Sequence, residues 1–380
     1  MKTLLVEGWR DINHSYAMVN QNQLLELVKY DFDLFHRNIP YYKEEWSIKE
    51  SASGFDEKSS NILNSIPTVS SETLGADVTF RISFPYRYYS ANSPKLFVFG
   101  TSEHQTINSM VYQNNLQEGL ANPNLKIITP SNWSRQGFIN AGFTDERVFV
   151  HPHGVSANFQ QISPERRESF RKALGCAGDD FLLLSLGAMT ENKGIDLLLM
   201  AYSMLKSRFP YLRLVLKDSS NLYGIKAKDV FANLQKNYPK LLNQKIYNSI
   251  IFISDNITQS QLNGLYGACD CYVSPYRAEG FNLGPLEAAA SGSVILVTDG
   301  GSTDDYFHES LGLKIEGQKL SNGLGGFYIE PNFESLLEKL TLMIEGWGKK
   351  RDHLFAQEYL KKNYSWEVVV KSLVKTFEEH

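Results

Sequence analysis

The sequence predicts an α/β protein of two domains, the second of them doubly wound. Three observations carry this. The chain has 380 residues, more than one ordinary core serves, so two domains of about 190 residues each are expected. Short, continuous apolar runs recur through the second half, as strands buried on both faces of a parallel sheet require. Helical patterns with recognisable ends alternate with those runs.

In chain order, "KTLLVEGW", "KLFVFGTSE", "LKIITPS" and "RVFVHPHGV" read as buried strands of the first half, and helices are expected near 16–35, 104–119 and 132–141. Polar and turn residues gather at 153–165 and mark the domain boundary, which places the domains at 1–160 and 161–360. The second half then runs "FLLLSLGAM" (strand), "NKGIDLLLMAYSMLKSRF" (helix), "LRLVLKD" (strand), "SIIFISDN" (strand), "TQSQLNGLYGAC" (helix), "CDCYVSPY" (strand), "LGPLEAAASG" (helix) and "SVILVTD" (strand). Thr258 and Gln261 form a capping-box pattern, and Pro285 and Gly292 bracket a helix in the usual order. "SWEVVVKSLVKTFEEH" reads as a final amphipathic helix.

Composition narrows the classes. Net charge is −4, with 42% hydrophobic and 21% charged residues, so no bulk electrostatic case exists for nucleic acid. No apolar run is long enough to cross a bilayer, and the short N-terminal run is broken by Glu7. The three cysteines, Cys176, Cys269 and Cys271, fit a reduced, cytoplasmic setting. Cys269 and Cys271 read as small core residues of a strand rather than as metal ligands.

The chemistry gathers in "RAEGFNLGPLEAAASG", which begins at Arg277 and follows a strand. Ligands of open α/β sheets bind beyond the carboxyl ends of strands. Gly280 and Gly284 let backbone approach a ligand, and the amides of Phe281, Asn282 and Leu283 lie at a helix N-terminus, a ready anion site. Glu279 and Glu287 flank that site, and a carboxylate accepts hydrogen bonds from paired sugar hydroxyls. A solvated loop carrying two surface acids is the alternative.

Around this stretch the chain resembles the family 4 glycosyltransferases, the retaining, glycogen-synthase-like group. "EGFNLGPLE" is similar to their paired-glutamate signature. "SLGAMTENKGIDLLLMAY", "QLNGLYGACDCYVSPYRAEGFNL", "LEAAASGSVILVTDGGSTDDYF" and "SNWSRQGFINAGFTDERVFVHPHGV" resemble its neighbouring segments in order, over roughly residues 125–310. The resemblance implies the GT-B fold: two Rossmann-like domains facing a cleft, with 361–380 returning to the N-terminal domain. The N-terminal domain would bind the acceptor and the C-terminal domain the nucleotide sugar.

The resemblance also implies roles. Glu287 would hold ribose hydroxyls and Glu279 the donor sugar. The amides of Phe281, Asn282 and Leu283, with Gly284, would meet sugar and phosphate, Lys193 the diphosphate (an exposed helix-end lysine being the alternative), and backbone near Ile257 the base. Where the family usually has an arginine after the first strand of this domain, this chain has Ala188. A diphosphate leaving group needs positive charge; Lys217 is the candidate to supply it, with a surface lysine as the competing reading. In the first half, His104 (with Glu103 beside it) and His14 stand after strands and are expected near the sugar and in a loop open to the cleft, with a hydrogen-bonded structural histidine as the alternative for each. Arg81, Arg87 and the tyrosines of "FRISFPYRYY" are candidates for an acceptor groove, with exposed turn packing as the competing reading. His153 of "HPHGV" is expected to be structural. Asp31 and Asp33 fit a D-x-D pattern, but a chance match is expected and they read as lying in a helix, so no metal is expected.

The implied activity is transfer of a hexose from a UDP-sugar to a glycan or lipid-linked glycan with retention. There would be no cofactor beyond the co-substrate, and a peripheral association with the inner face of a membrane is compatible with it. A GT-B sugar-nucleotide epimerase or phosphorylase, or a catalytically weak nucleotide-sugar-binding protein, stands as the alternative. No pyridoxal-lysine motif favours the phosphorylase.

Overall fold

The computed structural model describes residues 2–44, 46, 54–70, 74–107, 116–346 and 353–380. The chain divides into two compact units. One comprises Met1–Ser156, Gly323–Gly326 and Lys362–His380; the other comprises Ala157–Asn322 and Phe327–Lys361.

The first unit is built on strands β1 (Lys2–Gly8), β2 (Phe32–Asn38), β3 (Val78–Ile82), β4 (Lys95–Phe99), β5 (Leu125–Thr129) and β6 (Val148–Val150). They form one sheet of order β2-β1-β3-β4-β5-β6, and every pair is parallel. The helix expected over 16–35 is Ser15–Leu27 only, and β2 follows it. Asp31 and Asp33 are therefore exposed residues at the start of a strand, not helical ones. In the 104–119 region a helix is seen at Leu116–Ala121; positions 108–115 lie outside the described residues. The 132–141 helix is Asn132–Asn140, capped by Ser131.

The last helix, Trp366–Glu379, belongs to this unit. Phe377 packs its ring 4.9 Å from Phe97 and 5.3 Å from Phe80. Thr376 Oγ1 lies 2.9 Å from His151 Nε2, and Trp366 lies 6.1 Å from His153. Burial lowers the pKa of His151 to about 4 and of His153 to about 3, so both are neutral packing groups that seat this helix.

The second unit carries β7 (Phe181–Gly187), β8 (Leu212–Asp218), β9 (Ile250–Ile253), β10 (Cys271–Ser274), β11 (Val294–Thr298) and β12 (Gly312–Ile315), in the order β12-β11-β10-β7-β8-β9. This is the doubly wound dinucleotide-fold order. Its core sets Leu183, Leu214, Leu216, Val273 and Leu296 against Leu198 and Tyr202 of the Ile195–Arg208 helix and Leu336 and Leu340 of the Phe333–Ile344 helix. An antiparallel hairpin, β13 (Gly317–Ser321) and β14 (Phe327–Pro331), is appended. Cys269 and Cys271 are buried thiols outside any disulfide. Among the described residues no helix is long and apolar enough to cross a membrane.

Candidate active site

The winding of the second sheet reverses between β7 and β10, which are hydrogen-bonded neighbours. Helices leave these two strands toward opposite faces, the topology beside which open α/β sheets bind their ligands. Residues 188–194 follow β7 and residues 275–282 follow β10. They are tied together: the Arg277 amide donates to the Asn192 carbonyl at 2.7 Å, and Asn192 Nδ2 donates to the Ala278 carbonyl at 2.9 Å. Gly194 lies at φ +66°, and a Cβ there would overlap the Pro275 carbonyl oxygen. Only glycine lets the two loops approach this closely.

Across this junction Lys193 Nζ donates to Glu279 Oε1 in an ion pair. The glutamate side chain is 9% exposed and the lysine 24%. A Cβ on Gly187 would lie 3.9 Å from Lys193 Nζ, so the ammonium sits over the end of β7. Lys193 is thus neither a solvated helix end nor distant from Glu279.

The helix Leu283–Ala290 starts at Asn282, whose backbone is left-handed (φ 65°, ψ 71°). The Asn282 side chain turns back to Ser274 Oγ at 2.9 Å and its carbonyl accepts from the Tyr306 hydroxyl at 2.8 Å. Phe281 packs on the Tyr306 ring at 5.1 Å. These contacts hold the loop in place, and the Asn282 side chain makes no cap bond to this helix start. This end carries the positive pole of the helix dipole. A Cβ on Gly284 would lie 2.5 Å from the Tyr272 hydroxyl, so that glycine seats the helix tightly against β10.

One turn into the helix, Glu287 Oε2 accepts from the Tyr266 hydroxyl at 3.1 Å. Burial raises the Glu287 carboxyl to about 8, with the tyrosine bond pulling the other way. A carboxyl this far from its ordinary range makes Glu287 a candidate functional group.

Lys217 is not a surface lysine. It is 7% exposed, paired in register with Leu186 on β7, and its ammonium donates to the Asp218 carbonyl at 2.6 Å. Burial lowers its pKa, with Asp218 and Asp255 opposing. Asp218 accepts from the amides of Ser220 (3.2 Å) and Ala227 (3.0 Å) and from Ser254 Oγ (2.8 Å), which orders the loop after β8 beside the segment that leads to Ile257. Ile257 is partly exposed, just ahead of the capping box at Thr258 and Gln261.

Arg277 had no sequence signal beyond its place before Glu279. Its guanidinium pairs with both Asp196 oxygens at 2.8 Å and both Glu330 oxygens at 2.9 and 3.2 Å, and donates to the Glu191 carbonyl at 2.9 Å. Burial opposes its charge, yet these pairs hold it above its ordinary value.

The first unit revises several expectations. His14 is not in an open loop: it is 7% exposed and caps the Ser15–Leu27 helix by accepting from the Tyr16 amide at 3.2 Å. Its ring lies within 5.1 Å of Trp9 and 5.0 Å of Trp46, and burial lowers its pKa to about 4. Arg81 is not a groove residue. It is buried and pairs with Glu7 at 2.6 Å, while Arg37 pairs with the other Glu7 oxygen at 2.6 Å; the three side chains form one row across β2, β1 and β3. Tyr86 and Tyr88 are core residues, Arg87 is partly buried, and Tyr89, which is exposed, stacks on Arg81. His104 is partly exposed in the turn after β4, next to Glu103, whose carbonyl accepts from Trp133. These side chains and the second-unit constellation belong to different compact units.

A family model, described as glycosyl transferases group 1, matches residues 166–359. The chain belongs to the group 1 glycosyltransferases. Within that family, the D-inositol 3-phosphate glycosyltransferase of Pseudarthrobacter chlorophenolicus is 27% identical over 183 residues, covering 48% of this chain and 41% of that enzyme. The lipopolysaccharide 1,2-N-acetylglucosaminetransferase of Salmonella typhimurium is 23% identical over 266 residues, 69% of this chain and 64% of that one. This group 1 glycosyltransferase spans less than half the length of the first curated relatives it matches. Among solved structures, Anabaena Alr3699/HepE in complex with UDP and glucose superposes with a TM-score of 0.70 over 100% of both chains at 14% identity. That likeness establishes the GT-B fold.

Proposed function

We propose that this group 1 glycosyltransferase is a retaining hexosyltransferase. It moves a hexose from a UDP-sugar of the UDP-glucose type to a hydroxyl of a glycan or lipid-linked glycan during polysaccharide assembly, without a metal ion. The observation that carries the reading is the meeting of the Lys193–Glu279 pair with the Asn282–Leu283 helix start and Glu287 at one sheet switch point. A nucleotide sugar needs a cation and backbone amides for its diphosphate, and carboxylates for the hydroxyls at both ends. The Anabaena structure, with UDP and glucose, is a fold relative consistent with that donor class.

Glu287 takes the ribose hydroxyls, Glu279 the sugar hydroxyls, the amides of Phe281, Asn282, Leu283 and Gly284 the sugar and phosphate, and backbone near Ile257 the base. Lys193 stabilises the departing diphosphate, and Lys217 adds positive charge from β8 in place of the arginine that Ala188 replaces. The bond from the sugar's anomeric carbon to the phosphate oxygen breaks, and the acceptor oxygen bonds to that carbon on the same face. The acceptor's proton passes to the phosphate oxygen that leaves. The first unit binds the acceptor. His14, spent on a helix cap within an aromatic nest, is left out of this assignment.

The reading is tested by incubating the protein with UDP-glucose, EDTA and an oligosaccharide panel. UDP release that depends on an acceptor and yields the retained glycoside supports it. Conversion of the sugar nucleotide to an epimer without acceptor, or activity lost to EDTA and restored by Mn²⁺, contradicts it.

A further inference from the structure

We propose that Arg277 is a positioning residue that keeps Lys193 and Glu279 in register across the junction of β7 and β10; the inference rests on the donor-site reading above. Arg277 stands two residues before Glu279. Its guanidinium grips Asp196, three residues after Lys193, with both terminal nitrogens, and holds the Glu191 carbonyl of the turn that carries Lys193. Its other fork holds Glu330 on β14. Its backbone joins the same elements: the amide donates to Asn192, and the carbonyl accepts from the Ile329 amide at 2.8 Å. One residue thus reaches three segments at once: the β7 turn, the β10 loop and the hairpin.

Exposed ion pairs contribute little, but this guanidinium is 13% exposed and doubly bidentate, a geometry that lysine cannot copy. Lys193 and Glu279 lie on two different loops, so their spacing depends on what holds those loops. Displacement of a reacting-site group by about 1 Å costs on the order of 100-fold in rate. The Arg277 guanidinium is spent on Asp196, Glu330 and the Glu191 carbonyl, so it acts through the pair.

The test compares Arg277→Gln and Arg277→Lys in the wild-type, Lys193→Ala and Glu287→Ala backgrounds, reading UDP-glucose turnover and UDP affinity. In the wild-type background Arg277→Gln lowers kcat by about 100-fold and leaves UDP affinity close to wild type, and Arg277→Lys restores only part of the rate. In the Lys193→Ala background it adds little, whereas beside Glu287→Ala it costs its full factor. Equal losses in every background, or a parallel loss of UDP binding, overturn the proposal. Deuterium exchange gives a second readout that needs no turnover. Arg277→Gln raises exchange in segments 188–194 and 276–282 together while β8 and β11 stay protected. Unchanged exchange in those segments overturns the positioning role. A wild type that neither binds UDP nor turns over UDP-glucose contradicts the donor-site reading instead, and the exchange result then decides Arg277 alone.

Discussion

Lys193 and Glu279 form an ion pair between the loop after β7 and the loop after β10. In the free protein the pair neutralises two groups that a donor would engage separately, the lysine by phosphate and the carboxylate by sugar hydroxyls. A preorganised cation at a departing diphosphate stabilises the transition state more than the ground state. Lys193→Ala is therefore expected to lower kcat by about 100-fold or more, with a smaller rise in KM for the donor. Steady-state kinetics check this; a wild-type kcat would place the diphosphate elsewhere.

Under the proposed ribose contact, Glu287 is expected to make UDP binding dependent on pH. Its carboxyl is raised to about 8 in the free protein, and a ligand that requires the carboxylate must displace the proton below that value. UDP affinity is expected to fall about tenfold between pH 9 and pH 7, where the ligand's own phosphate changes little. In Glu287→Gln the profile flattens. The same group makes the unliganded fold more stable below its unfolded pKa and less stable as pH rises through about 8. The Tm of Glu287→Gln should therefore exceed wild type at pH 9 and approach it at pH 5.

Gly194→Ala tests the close approach of the two loops. The added methyl meets both a left-handed backbone and the Pro275 carbonyl. A cost above about 2 kcal/mol is expected, which lowers Tm by about 4–8 °C for a unit of this size. Differential scanning calorimetry reads it directly, and an unchanged Tm would mean the junction is looser than described.

Buried imidazoles set the acid limit. His14 and His151 are lowered to about 4, and His36 and His153 to about 3, in each case chiefly by burial. The unfolded chain takes up these protons near 6.5 and the folded chain does not, so stability falls as pH drops from about 6.5 towards 4. Glu287 acts in the opposite sense over part of that range, but four imidazoles outweigh one carboxyl. Tm should rise steadily from pH 4.5 to 6.5; a flat or falling profile would contradict the buried, neutral state of these residues.

The elements legible in the sequence were those whose pattern is local. The apolar run "FLLLSLG" is β7 because both its faces are covered, and Thr258 and Gln261 close the capping box that their spacing suggests. β2 was not legible: "FDLFHRN" is an edge strand with exposed Asp33, and it follows helix Ser15–Leu27 so closely that one helical pattern seemed to run through both. β12 was missed for its brevity. At the site, Glu279, Glu287 and Lys193 stand in motifs. The work of Arg277 depends on Asp196 and Glu330, which lie 81 and 53 residues from it; no local pattern encodes such a meeting. His14 and Arg81 were misplaced for the same reason, since a histidine that caps a helix and an arginine that pairs with Glu7 look in sequence like loop residues.

The central claim is that a nucleotide sugar is held at the switch point of the second sheet through Glu287. Titration calorimetry of UDP against wild type and Glu287→Ala tests it most directly. Loss of one charge-assisted hydrogen bond, about 1.5–3 kcal/mol, predicts binding to the wild type and roughly 10- to 150-fold weaker binding to the variant. No UDP binding by the wild type, or equal affinity in the two proteins, would contradict it.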